Sequence, residues 1–129
     1  FLHDQSYNNT LNLKLLYKKI IQADSKVPMQ FTGVWTCKDL FGLKGLTFDG
    51  FADVWFEDHT YNTGVNEDGT NVTKTKHTVF ITEPQLWYNV GRHFGCNNLN
   101  VGTEIELSNN FGTTLGFKCR PCLGVKWDF

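Results

Sequence analysis

The chain has 129 residues, with 12 lysines and arginines against 13 aspartates and glutamates and a formal net charge of -1. That length suits one domain, and so even a charge balance excludes a nucleic-acid partner held by bulk electrostatics. Phenylalanine (11), glycine (12), tryptophan (4) and tyrosine (4) beside only 3 prolines and 1 methionine favour strands and tight turns over helices.

No run of 18 apolar residues is present, so no transmembrane helix is expected. A transmembrane strand needs only about 10 residues, every second one apolar. The chain opens at Phe1 without methionine or the regions of a signal peptide, which suggests a mature form or, preferably, a fragment.

Residues 10–21 come first and are ambiguous. Leu13, Leu16, Tyr17, Ile20 and Ile21 fit an amphipathic helix, whereas Leu11, Leu13, Leu15 and Tyr17 fit a strand, and the neighbouring segments favour the strand. Residues 29–38 alternate Phe31, Gly33, Trp35 and Cys37 with Gln30, Thr32, Val34, Thr36 and Lys38. Residues 46–58 set Leu46, Phe48, Ala52, Val54 and Phe56 against Asp49, Phe51, Asp53, Trp55 and Glu57. Residues 77–90 set Phe80, Leu86, Tyr88 and Val90 against Glu83, Gln85, Trp87 and Asn89. Residues 99–110 oppose Val101, Ile105 and Leu107 to Glu104, Glu106 and Ser108.

The last segment, residues 115–129, is the clearest. Leu115, Phe117, Cys119, Pro121, Leu123, Val125, Trp127 and Phe129 alternate with Gly116, Lys118, Arg120, Cys122, Gly124, Lys126 and Asp128. This is longer than the usual five or six residues of a strand and about the length a tilted strand needs to cross a bilayer. An alternating last strand closing on phenylalanine resembles the signal read by the assembly machinery of outer-membrane barrels. With the C-terminus periplasmic, loops near 110–114, 59–76 and 22–28 should be extracellular, and those near 91–98 and 39–45 periplasmic. The longest and most polar connection, His59 to Lys76, then falls outside, as barrels of this kind require.

The four cysteines, Cys37, Cys96, Cys119 and Cys122, are read as small packing residues. Cys119 and Cys122 have a CxxC spacing, but they lack the helix N-terminus or second ligand pair that redox or zinc chemistry needs. Their three-residue separation on one strand points them to opposite faces. His3, His59, His77 and His93 lack metal-ligand spacing, so neither a metal site nor a cofactor is expected. Glu104-x-Glu106 and Asp49-x-x-x-Asp53 place acids on one strand face, but alternation alone produces that spacing, and no enzyme is expected.

Four stretches carry a family resemblance: Phe48-Asp-Gly-Phe-Ala-Asp-Val-Trp55, Val79-Phe-Ile-Thr-Glu-Pro-Gln-Leu-Trp-Tyr-Asn-Val90, Val101-Gly-Thr-Glu-Ile-Glu-Leu-Ser-Asn-Asn-Phe111 and Cys122-Leu-Gly-Val-Lys-Trp-Asp-Phe129. Together they resemble, in order, the C-terminal half of the Tsx-like nucleoside-specific outer-membrane channels, particularly their relatives in Bacteroidetes. The resemblance implies an antiparallel up-and-down transmembrane β-barrel of twelve strands, of which about six are present in residues 1–129. It implies passive uptake of small polar solutes, chiefly nucleosides, in the bacterial outer membrane. Six strands do not close such a barrel, which starts at about eight, and unpaired edges in hydrocarbon are untenable. The remaining strands must come from an upstream half or a second chain.

On this reading the polar face lines the pore. The candidate solute-contacting residues are Asp49, Phe51, Asp53, Trp55, Glu83, Trp87, Glu104, Glu106, Lys118 and Arg120. Aromatic faces can stack a planar base for about 1 to 3 kcal/mol each, weakly enough for release. The bland alternative is that these charges pair across the lumen and fill it. A rival class is a soluble lipocalin-like barrel binding a small apolar ligand, suggested by Phe31-Thr-Gly-Val-Trp35, in which the same two faces are inverted. A third reading is an adhesion or assembly subunit that uses residues 59–76 as its contact loop.

Overall fold

A computed structural model describes residues 1–6, 8–18 and 27–129. The chain forms an antiparallel up-and-down sheet of seven strands in sequence order: β1 (Leu2–His3), β2 (Asn9–Tyr17), β3 (Met29–Lys38), β4 (Leu46–Val65), β5 (Asn71–Asn89), β6 (Leu99–Asn109) and β7 (Phe117–Trp127). Among the described residues no helix is long and apolar enough to cross a membrane.

The ambiguous first segment is a strand through Tyr17, and the part of it beyond Lys18 lies outside the described residues. The seventh strand is an addition to the expected six. Leu2 and His3 pair with Leu11 and Thr10 across a turn in which the Asp4 carboxylate accepts the Asn8 amide.

A larger correction concerns residues 59–76, expected as a loop. Strand β4 continues to Val65 and β5 starts at Asn71, leaving only Asn66–Thr70 as the turn. The signal was hidden because this ribbon projects past its neighbours and, beyond the buried Tyr61, is exposed on both sides, so no period-two apolar pattern survives. Its threonines and valines still favour extended backbone, as in the Thr60–Thr75 side-chain hydrogen bond of 3.0 Å across it. A register shift between Phe56 and His59 marks where the ribbon leaves the sheet.

The connections at the other end, 39–45 and 91–98, each contain a short 3-10 turn, at Leu40–Gly42 and Gly91–His93. The two turns are tied together by the Arg92 guanidinium, which donates to the Lys44 carbonyl.

Continuous register sorts the side chains. One row runs Leu13, Gly33, Ala52, Thr82, Leu107 and Cys119 across six strands, and the rows two residues above and below it are equally apolar. The other face carries Lys14, Thr32, Asp53, Ile81, Ser108 and Lys118 in the corresponding row. Burial follows the reverse of a water-soluble protein. The buried residues on the strands, Trp55, Glu57, Tyr61, Val79, Trp87, Asn100 and Ser108, lie on the polar face, whereas Leu13 is 65% exposed, Leu123 86% and Val125 73%.

The cysteine expectation holds in part. Cys37 and Cys96 are half-buried, but Cys119 and Cys122 are exposed, because β7 has a neighbour on one side only. Their opposite facing is as expected: Cys119 pairs with Leu107 and Cys122 with Glu104. Prolines sit where the ladder tolerates a missing donor. Pro121 is on an edge strand, and the β5–β6 ladder passes over Glu83 and Pro84.

Two glycines leave room for one indole to lie against the sheet. A Cβ on Gly102 would meet the Leu86 carbonyl oxygen and the Trp87 ring, and one on Gly124 would lie 3.1 Å from the far edge of that ring. Gly102→Ala should therefore cost about 1 to 3 kcal/mol, read as a lower unfolding midpoint. Gly64→Ala, where a Cβ meets nothing within 4 Å, should stay within about 0.5 kcal/mol of the parent.

Candidate functional site

Alternation delivers the polar residues to one surface, and hydrogen bonds between side chains two residues apart then organise it along each strand. On β5 the Trp87 indole donates to Gln85 Oε1 at 2.9 Å, and Gln85 Nε2 donates in turn to Glu83 Oε1 at 2.9 Å. On β4 the Trp55 indole donates to Glu57 Oε2 at 2.7 Å. On β6 the Ser108 hydroxyl donates to Glu106 Oε1 at 3.2 Å, and Arg120 reaches the same oxygen from β7 at 2.7 Å.

All ten sequence-predicted residues share this face. Asp49, Phe51, Asp53 and Trp55 stand on β4, Glu83 and Trp87 on β5, Glu104 and Glu106 on β6, and Lys118 and Arg120 on β7. They do not converge on one point. Two of them, Trp55 and Trp87, stand toward opposite ends of the sheet, each capped by a lysine and each the centre of a group.

The first group lies at the end where β4 and β5 project. The Lys18 ammonium sits 3.8 Å from the Trp55 ring centroid, and Phe111 meets the same ring edge-on at 6.0 Å. Beyond Glu57, His59 lies 2.9 Å from the Glu57 carboxylate and stacks on Tyr61. The Tyr61 hydroxyl donates to the Asn110 carbonyl at 2.6 Å. Asn110 is buried and has a left-handed φ of 56°. Its side chain donates to the Thr78 carbonyl and accepts the Gly116 amide. The turn between β6 and β7 is thereby pinned to β4 and β5, and Phe111 is carried over Trp55.

The second group surrounds Trp87. Lys126 lies 5.0 Å from its ring centroid and 3.9 Å from Asp128, which also accepts from Asn100 Nδ2 at 2.8 Å. Between the groups lies an open basin lined by Thr32, Thr36, Asp49, Phe51, Asp53 and Gln85. One oxygen each of Asp49 and Asp53 is shielded there with no hydrogen-bond partner among the described residues.

Sequence reasoning missed Tyr61, His59, Asn110 and Phe111, since their segments read as loops. The visible signal was an aromatic among the β-branched residues of 59–65. It also missed Gln85 as the link between Trp87 and Glu83, which only same-strand geometry shows. Among the described residues, no group of three or more histidine, cysteine or acidic side chains is placed to hold a metal ion.

The chain matches over residues 1–129 a family described as a domain of unknown function, DUF5020, and it belongs to that family. No curated protein and no solved structure matches it.

The Tyr61–Asn110 link makes a measurable claim. Tyr61→Phe should lower stability by about 0.5 to 1.5 kcal/mol, one hydrogen bond. Asn110→Ala should cost about 3 kcal/mol, from two side-chain bonds and a left-handed backbone that alanine disfavours. Denaturant titration followed by tryptophan fluorescence checks both.

Proposed function

We propose that this chain forms part of an outer-membrane β-barrel channel that passes small polar solutes, nucleosides foremost, with its polar face toward the lumen and its apolar face against lipid. The observation that carries this reading is the inverted burial: charged and amide side chains are shielded on one face while leucines and valines are exposed on the other. A soluble lipocalin-like barrel requires the opposite, so Phe31–Trp35, which lies within β3, carries no weight as an opening motif. The rims agree as well. The apolar face of β4 spans ten residue steps from Leu46 to Phe56, about 33 Å of strand, which a tilt near 40° reduces to about 25 Å, the height of a barrel's apolar band. Tyr88 and Trp127 flank one rim, with Tyr17, Phe80 and Phe117 at the other. Past Phe56 the register shifts, and Asp58 there pairs with His77 at 2.6 Å.

The ten polar-face residues then line the path. Trp55 and Trp87 offer ring surfaces at its two ends, Phe51 a third between them, and Asp49, Asp53, Glu83 and Glu104 offer acceptors for sugar hydroxyls. Glu106, Lys118 and Arg120 form the charged wall near β7. The strand ending at Trp127, followed by Phe129, is the segment the barrel assembly machinery would engage.

Two measurements test this. Expressed in a Gram-negative host, the protein should fractionate with outer membranes, and Leu107→Arg, near mid-height on the apolar face, should cost about 2 to 4 kcal/mol of insertion. An unaffected variant, or a parent that stays in the aqueous fraction, favours a soluble barrel. In proteoliposomes, Trp55→Ala and Trp87→Ala should slow nucleoside entry more than that of a sugar of similar size; equal slowing removes the stacking role.

A further inference from the structure

Where the apolar face meets lipid, as the channel reading on which this site rests requires, one end of it is shaped and charged for a particular kind of lipid. That end lies beside the two short turns, 39–45 and 91–98.

The apolar face is not flat there. Leu46, Tyr88, Val101 and Val125 form one cross-strand row, and Leu86, Thr103 and Leu123 stand in the next row toward the middle of the sheet. Thr103 is the short member of its row, and its hydroxyl donates to the Cys122 carbonyl at 2.8 Å, which satisfies its one polar group against the sheet. The two rows border a groove of about 570 Å³, within the range of about 300 to 1,000 Å³ usual for small-molecule sites.

At its outer end the groove runs into a second hollow of about 530 Å³ between the turns, since Leu46 and Tyr88 line both. This second hollow is basic: Lys44, Arg92 and His93 line it beside Gly42 and Leu43. Among the described residues no ion pair reaches Lys44 or Arg92. Arg92 spends one of its N–H donors on the Lys44 carbonyl, and His93 Nε2 lies 2.8 Å from the Tyr88 hydroxyl, so the basic cluster and the rim of the groove are joined. Asp39 is the sole acid of these turns, and its Oδ1 already accepts the Gly45 amide at 2.8 Å.

Each turn also carries an uncovered phenylalanine next to a lining residue. Phe41, beside Gly42, is 88% exposed, and Phe94, beside His93, is 80% exposed. Phe41 holds a left-handed φ of 56°, which a residue with a Cβ disfavours. Aromatic rings at headgroup depth anchor proteins at a membrane interface, and cations beside them attract anionic headgroups.

We propose that this end of the sheet binds an anionic phospholipid, with Lys44, Arg92 and His93 on the headgroup phosphate and one acyl chain lying in the groove across Thr103. A free phosphate would use the cations and leave the groove empty. A zwitterionic lipid would fill the groove but bring its own ammonium to the cations. Only an anionic amphiphile matches both halves.

The test uses the whole 129-residue chain in maltoside micelles doped with equal amounts of phosphatidylglycerol and phosphatidylcholine of the same acyl chains, with retained lipid read by native mass spectrometry. The chain should retain phosphatidylglycerol over phosphatidylcholine by at least about fivefold. Lys44→Gln with His93→Gln should abolish that preference; Arg92 is kept because it ties the turns together. Lys74→Gln with Lys76→Gln, on the projecting ribbon at the other end of the sheet, should leave it unchanged. Thr103→Phe, which fills the groove, should lower retention of both lipids. Equal retention of the two lipids by the parent overturns the proposal, as does a preference that survives the Lys44 and His93 changes or falls as much with those at Lys74 and Lys76. Full competition by glycerol 3-phosphate, which has the phosphate without the chains, or unchanged retention by Thr103→Phe overturns it too. The membrane reading fails on a different result, a chain that stays in the aqueous fraction of its host.

Discussion

Every feature described above depends on an uninterrupted antiparallel register. In a strand the side chains alternate between faces, so a pairing slip of one residue would exchange the two faces wholesale. Here the pairing holds from β2 to β7 without a slip inside the sheet, the shifts in the β4–β5 pair coming only after Phe56. One decision, which face each strand shows, is thus made once and propagated through six strands. Close approach at Gly102 and Gly124 protects it, since these positions leave the space in which Trp87 lies flat over β6 and β7.

The consequence is an energetic inversion. Apolar burial ordinarily drives folding, yet this chain buries Trp55, Trp87, Glu57 and Asn100 on the polar face and leaves Leu13, Leu15 and Leu123 exposed on the other. Such a surface is costly in water and suited to a medium in which exposed leucine carries no penalty. Much of the polar face is joined by hydrogen bonds, in ladders such as Trp87–Gln85–Glu83 and in Glu106 accepting from both Ser108 and Arg120, while one oxygen each of Asp49 and Asp53 has no partner among the described residues. Those ladders hold the Trp55 and Trp87 side chains in fixed orientations.

The two tryptophan groups differ in what secures them. Trp87 is held by regular sheet structure and by Lys126 from the adjoining edge. Trp55 depends on parts that leave the sheet, with Lys18 just past the end of β2 and Phe111 on the turn fixed by Asn110. Local opening of that turn would uncover Trp55 while leaving Trp87 in place, so the end of the polar face nearest the projecting ribbon is the more adjustable of the two.

The sequence by itself determined the strand class and the face assignment. Alternation in 46–58, 99–110 and 115–129 is a covalent consequence of extended backbone, and it placed all ten candidate residues on one side correctly. It could not show the projecting ribbon of 59–76, where water on both sides removes the pattern, or the two-residue strand at Leu2–His3, which is too short to carry a period. Only the tertiary structure decided which residues meet: that Lys18 caps Trp55, that Tyr61 holds Asn110, and that Trp55 and Trp87 stand toward opposite ends of the polar face. Those contacts join positions as far as 49 apart in sequence, and they depend on register, bulges and turn closure that local preference does not encode.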